Sequence, residues 1–302
     1  MGSSSFLTLC LNPTLQKTLS YPKVVRDTVN RTSNHRLDAS GKGINVTRVL
    51  DQLGKTVVHL THLGGVNKSL FLELCSQDDL RIRWEDSGSD IRFCYTVLDG
   101  SDRSVTELVE EAKPVAAGTE ARILGAFREC LPPDGTFIVS GTRAGGYSDA
   151  LIPGMVKEAR ERGLRIILDV RGQDLINSLP FKPDILKPNL SEFVGTFFKS
   201  PPADEGELRS AVVAKARELS IAHGCAVVMT RGARSVWTVQ GEDFREYAFQ
   251  AVPPVNTIGS GDAFTAGLAA ALDSGADLPV AIGEGARCGR LNAQLLRPGV
   301  IR

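Results

Sequence analysis

Apolar residues fall along this chain in two alternating rhythms. Short runs suited to buried strands alternate with longer segments of helical period, the pattern of an α/β fold with a mainly parallel central sheet flanked by helices. The runs Phe6–Leu11, Val57–Leu63, Thr136–Ser140, Arg165–Val170, Ile185–Leu186 and Ala226–Thr230 predict strands. Most end at Gly, Asn, Asp or Thr, where the chain turns into a helix, and ligands of such sheets sit beyond the carboxyl ends of the strands. Val46, Val49, Leu50 and Leu53 recur at i, i+3, i+4 and i+7, with Gly54 as the expected C-cap. Gly163, Gly224 and Gly275 close later helices in the same way, and Pro201 and Pro202 mark a loop leading to an N-cap at Asp204.

Two stretches break the rhythm. Leu19–Leu37 and Ile91–Val109 carry Val, Thr, Arg and Tyr in partial alternation, without a helical period. They predict a small accessory sheet built from two inserted segments, about 14–40 and 90–110, within a single domain spanning 1–302. A lid over an active site and a set of edge strands of the main sheet both fit this pattern.

Composition narrows the partners. The 302 residues are 42% hydrophobic and 23% charged, an ordinary globular balance. Lys plus Arg and Asp plus Glu are equal at 35 each, so no net basic field exists to attract nucleic acid or an anionic membrane, and any phosphate site must be local. The six cysteines are scattered without a CxxC pair, which reads as reduced thiols rather than a disulfide framework or zinc site. No run approaches the roughly 20 apolar residues of a membrane span, and Met-Gly-Ser-Ser-Ser-Phe lacks the features of a secretory leader. These features predict a cytoplasmic protein.

Four segments carry candidate chemistry. In Asn256-Thr257-Ile258-Gly259-Ser260-Gly261-Asp262, two glycines one residue apart let backbone N–H groups converge at the start of a helix, forming an anion hole. Asp262 beside that hole is placed to take a hydroxyl proton, although such turns also serve as plain helix starts. Ser40-Gly41-Lys42-Gly43-Ile44-Asn45 opens an amphipathic helix with close backbone approach, a point charge and an amide, and is not an ATP-binding P-loop. Lys187-Pro188-Asn189-Leu190-Ser191-Glu192 offers hard oxygens suited to hydrated Mg²⁺, or equally a capping box. Thr230-Arg231-Gly232-Ala233-Arg234-Ser235 is either a rest for a nucleotide or a hairpin turn.

In this order the motifs resemble the ribokinase-like (PfkB) carbohydrate kinases, most of all the tagatose-6-phosphate kinase and 1-phosphofructokinase branch. The resemblance runs through Leu11-Asn12-Pro13, Asp27–Arg31, Gly41–Leu50, Gly64-Gly65, Lys187-Pro188-Asn189 with Glu192, Gly259–Asp262 and Gly289–Gln294. It implies an α/β domain with a small β lid that often helps form a dimer, and transfer of the γ-phosphate of MgATP to a hydroxyl of a phosphorylated ketohexose. By position, Asp262 would be the base, with Gly259, Ser260 and Gly261 forming the anion hole. Lys42 and Arg92, and more weakly Arg31, would grip the sugar phosphate. Asn12, Gln16, Gly41, Gly43, Asn45, Thr142 and Arg143 would line the acceptor. Lys187, Asn189, Thr230, Gly232, Thr257 and Asn292 would lie along the nucleotide, and Glu192 with Asn189 would organise Mg²⁺ through water.

Departures from the family pattern cluster on the acceptor side. Gln16 stands where the family usually has Asp, Ser40 where it has Gly, and Phe93 where it has Asn; Ser235 replaces a glycine of the nucleotide loop. Thr142–Gly146 replaces a Ser-Leu-Pro-Pro-Gly-like loop, and its Arg143 is a candidate for binding a carboxylate or phosphate of the acceptor. The pattern predicts an altered acceptor on an intact catalytic centre. A kinase of an unphosphorylated sugar or nucleoside, and a nucleotide- or sugar-phosphate-binding protein without turnover, are the competing readings.

Overall fold

A computed structural model describes residues 5–302. Residues 1–4, part of the segment read above as lacking a secretory leader, lie outside the described residues. The chain runs β1 (Ser5–Cys10), β2 (Thr14–Tyr21), β3 (His35–Ser40), α1 (Lys42–Gln52), β4 (Thr56–Leu63), α2 (Lys68–Ser76), β5 (Ile82–Asp86), β6 (Arg92–Asp99) and β7 (Ser104–Val109). It continues through α3 (Thr119–Cys130), β8 (Gly135–Ser140), α4 (Leu151–Glu161), β9 (Arg165–Asp169), α5 (Gln173–Ser178), β10 (Ile185–Leu186), α6 (Leu190–Phe197) and α7 (Glu205–His223). The last elements are β11 (Ala226–Thr230), β12 (Ser235–Gln240), β13 (Asp243–Ala248), α8 (Ser260–Asp273) and α9 (Leu278–Ala293).

Nine strands form one sheet in the order β13-β12-β11-β10-β9-β8-β1-β4-β5, parallel except at β12 and β13. Its central strands are apolar on both faces because helices cover both. Leu7 and Leu9 of β1 point into a core with Phe127 of α3, Met155 of α4 and Phe193 of α6, while Phe6 faces Val49 of α1 and Ala266 of α8. Each such buried side chain stabilises the fold by roughly 2 kcal/mol. Helices α8 and α9 approach closely because small residues face one another: a Cβ on Gly267 would lie 2.8 Å from Cys288 Sγ, and one on Gly285 would lie 2.9 Å from Phe264 O. Gly54, Gly163, Gly224 and Gly275 all adopt positive φ just after helices, the conformation for which a glycine C-cap is selected.

The two segments without helical period form a separate four-stranded sheet, β3-β2-β6-β7. Alternation along β2 sorts its faces. Leu15 enters a buried cluster with Ile44, Leu63, Phe71 and Ile91, whereas Gln16 turns to the other face, opposite Asp38 of β3 and Cys94 of β6. The sheet joins the main body at Pro13, Gly41 and Arg92, next to the carboxyl end of β1. The segment 230–235, left open between hairpin and nucleotide rest, is a hairpin turn joining β11 and β12. No helix among the described residues is long and apolar enough to cross a membrane.

Candidate active site

Helix α8 starts behind Gly259, whose φ of 81° is left-handed, and a Cβ there would lie 2.6 Å from Gly299 N. Only glycine satisfies both conditions at once. The turn carries Asp262 into the first turn of α8, 6% exposed, where it makes no capping bond. Its Oδ2 accepts from Asn45 Nδ2 at 2.8 Å, and Oδ1 carries no hydrogen bond among the described residues. Burial pushes Asp262 up to about 6; Lys42 opposes that rise, Asp169 adds to it, and Asn45 and Lys187 also oppose it. A carboxylate so placed is a proton acceptor poised near neutrality.

Beside it lies a charge cluster. Lys42 Nζ is 2.8 Å from Glu192 Oε1 and 3.5 Å from Asp169 Oδ1, and Lys187 Nζ is 3.5 Å from Asp169 Oδ2. Asp169 closes β9 and is 1% exposed. Burial alone would raise it, but Lys187 and Lys42, with hydrogen bonds from Thr265 and Ser140, hold it below the usual carboxylate range. Its Oδ1 has no hydrogen-bond donor. Asp169 was not among the residues singled out in the sequence. The signal available for it was its place at the carboxyl end of the apolar run Ile166–Leu168, where chemistry in such a sheet concentrates.

Asn189 and Glu192 form a complete capping box: Asn189 Oδ1 accepts from Glu192 N at 2.8 Å, and Glu192 Oε2 accepts from Asn189 N at 3.0 Å. Glu192 Oε1 faces Lys42, so one carboxylate caps the helix and also faces the site. A bridge between Asn189 and Thr230 brings the 187–192 and 230–232 segments together. Gly232 has φ 61°, and Thr257 is exposed with its carbonyl accepting from Ser260 N.

On the acceptor side, Asn12 Nδ2 donates to Thr142 Oγ1 at 3.0 Å and its Oδ1 is buried without a partner. Gln16 Nε2 donates to Thr96 Oγ1 at 2.6 Å. Gly41 has φ 121° and abuts Cys10 Sγ; a Cβ on Gly43 would lie 2.7 Å from Cys10 Cβ. Arg92 Nη1 donates to Glu110 O at 3.0 Å while its Nε stays buried without a partner. Burial pushes the Cys10 thiol up, while backbone hydrogen bonds from Asn12 and Gly43 and the Arg92 charge oppose that rise.

The geometry bears on four of the expected roles. Arg143 is held by Asp174 at 2.9 Å, by Asp149 and by Tyr147 O, so its guanidinium is taken by the protein and anchors its own loop. Asn292 is fully buried, with Nδ2 on Ile258 O and Oδ1 on Gly299 N, and so braces the Gly259 turn. Lys42, expected beside Arg92 at the sugar phosphate, pairs within the chain with Glu192 and Asp169. Arg31 sits exposed in the loop between β2 and β3. Replacing Arg143 with Ala is expected to lower stability by about 1–2 kcal/mol and to leave the acceptor KM within about twofold, as thermal denaturation and steady-state kinetics will show.

A buried carboxylate beside backbone donors at a helix start, next to lysines and carboxylates at the strand ends, suits the movement of an anionic group onto a hydroxyl. Residues 16–299 match the pfkB family carbohydrate kinases, and the chain belongs to that family; it is an ATP-dependent carbohydrate kinase. Among solved structures it is similar to Escherichia coli phosphofructokinase-2, determined with potassium, at 19% identity and TM-score 0.84 over 97% of this chain and 93% of that one. A protein of Thermotoga maritima described as a possible 1-phosphofructokinase matches at 18% identity and TM-score 0.87, again over 97% and 93%. The Escherichia coli enzyme with fructose-6-phosphate matches at 19% identity and TM-score 0.83, over 96% and 94%.

Proposed function

We propose that this kinase transfers the terminal phosphoryl group of ATP to a hydroxyl of a phosphorylated ketohexose in the cytoplasm. The observation that carries this reading is Asp262 in the opening turn of α8, with no hydrogen bond on its Oδ1 among the described residues, together with Arg92, whose buried Nε has no partner among them. One group suits a reacting hydroxyl, and the other suits an anionic group elsewhere on the same small molecule. Asp262 Oδ1 takes the hydroxyl proton as the oxygen attacks. The N–H groups at Gly259–Gly261 and the positive end of α8 meet the charge on the transferring group. Lys42 and Lys187 add positive charge on the nucleotide side, Thr230 and Gly232 border the nucleotide, and Asn12, Gln16 and Asn45 meet acceptor hydroxyls.

A magnesium ion fits this donor set. Asp169 Oδ1 is buried without a donor and Glu192 Oε1 faces it across Lys42 Nζ, while no group of three or more His, Cys, Asp or Glu among the described residues forms a closed cage. That suits an ion held by one or two carboxylates, water and nucleotide phosphates. Asn189 suits it less, because its Oδ1 already accepts from Glu192 N and Ser191 Oγ. When bound, the ion would neutralise phosphate charge. The four-stranded sheet serves as the lid and as the contact of a homodimer.

The base must be ionised, so kcat/KM should fall about tenfold per pH unit below roughly pH 6. Because Lys42 opposes the rise of Asp262, Lys42→Met should shift that limb to higher pH; a limb that stays in place would detach Lys42 from the base. The acceptor is identified by ADP release from MgATP against fructose 1-phosphate, fructose 6-phosphate, tagatose 6-phosphate, free hexoses and nucleosides. Turnover confined to one phosphorylated ketose supports the proposal, and turnover only with uncharged acceptors overturns it.

A further inference from the structure

Arg48 lies one helical turn beyond Asn45 on α1 and is 2% exposed. It is not positioned to reach the reacting atoms, yet every arm of its guanidinium is engaged. Nη1 donates to Asn45 Oδ1 at 3.2 Å and to Pro298 O at 3.4 Å, Nη2 to Ala39 O at 2.7 Å, and Nε to Asp78 Oδ2 at 2.9 Å. Ser40 Oγ also donates to Asn45 Oδ1, at 3.3 Å.

A guanidinium has donors only and an ionised carboxylate has acceptors only. Asn45 stands between one of each. With its oxygen drawn to Arg48 and Ser40, its Nδ2 is left for Asp262; the flipped amide would set N–H against N–H on one side and oxygen against carboxylate on the other. Arg48 therefore decides which end of the Asn45 dipole the base meets.

The same guanidinium reaches the small sheet. Asp78 Oδ2 is shared with Arg297, Arg297 Nε lies 2.8 Å from Asp38 Oδ1 on β3, and Ala39 O on that strand is held directly by Arg48. Asp38 is also paired with Arg36 at 2.6 Å. The root of β3, one residue before Ser40 and two before Gly41, is thus tied to the group that orients Asn45.

We propose that Arg48 is a positioning residue which fixes the Asn45 amide so that Asp262 meets a donor, and that the Arg297–Asp38 and Arg297–Asp78 contacts make this setting depend on the seating of β3. The proposal rests on Asp262 acting as the base.

The test compares Arg48→Lys and Arg48→Gln in the parent enzyme and in an Asp262→Asn background, with thermal denaturation of each variant. In the parent, kcat should fall about 10–30-fold with both KM values within about threefold. The acidic limb should also move to higher pH, because Asn45 no longer donates reliably while Lys42, Lys187 and Asp169 around the base are unchanged. In the Asp262→Asn background the same substitutions should cost less than about twofold. Unchanged kcat in a folded Arg48 variant overturns the proposal, and so does an equal loss in both backgrounds, which would mark a purely structural role. Should the Arg48 variants fail to fold, Asp78→Asn carries the same comparison and the same overturning results. Arg297→Gln should lower kcat about 3–5-fold with the same dependence on background; no change there removes the link to β3. An Asp262→Asn enzyme with parental kcat is a separate outcome, which overturns the assignment of the base itself.

Discussion

Replacing Asp262 with Asn should yield a protein that binds ATP as the parent does, turns over at least about 10²-fold more slowly and resists heat better. The kinetic half follows from the loss of the proton acceptor proposed for the α8 turn. The stability half follows from linkage. The folded state holds this carboxyl at about 6 against an ordinary 3.8, so its contribution to stability is complete below pH 3.8 and is lost as pH rises through about 6. At pH 7.5 the parent carries the whole cost, about 3 kcal/mol for that displacement, and asparagine carries none. Melting curves of parent and variant should therefore converge near pH 4 and separate above pH 6. A variant that is less stable at every pH would show that the ionised carboxylate is compensated by its neighbours. The proposed base is held in a setting that favours function over stability.

The second large effect concerns Asp169. Substitution by Asn leaves the Lys187 ammonium, 3% exposed, without its charge partner, and breaking a buried pair from one side costs roughly 3 kcal/mol. The depressed pKa of Asp169 sets the sign: its contribution is present above its ordinary pKa and is lost as pH falls through the lower folded value. The gap between parent and variant should then be full at pH 7 and close in strong acid. Activity should drop as well, because Lys42 and Lys187 lose the anion that spaces them and a magnesium ion bound there would lose one carboxylate. Adding Lys187→Met should recover stability without recovering turnover. If the double variant regains both, Asp169 is a structural ion-pair partner only.

What could be read from the sequence was local. The main parallel sheet was legible because runs such as Ile166–Leu168 are buried on both faces, and the glycine C-caps were legible because a left-handed residue leaves few choices. The base turn and the capping box are each contained in a few consecutive residues. Contacts between distant segments left no such trace. Arg143 looks like a free cation until Asp174 and Asp149 are brought to it, and Asn292 looks like a ligand until Gly299 folds over it. Arg48 reads as one polar residue in a helix, because its partners Asp78 and Pro298 lie 30 and 250 residues away in sequence.

Those separations bear on how the enzyme comes into being. Asn45 meets Asp262 across 217 residues, Lys42 meets Glu192 across 150, and Arg48 meets Pro298 across 250. No contiguous fragment short of nearly the whole chain contains a working centre, and contacts of such range form late. Catalysis is therefore a probe of completed folding: in a refolding mixture, turnover reappears only after the helical signal has recovered, and partly folded chains never phosphorylate their substrate.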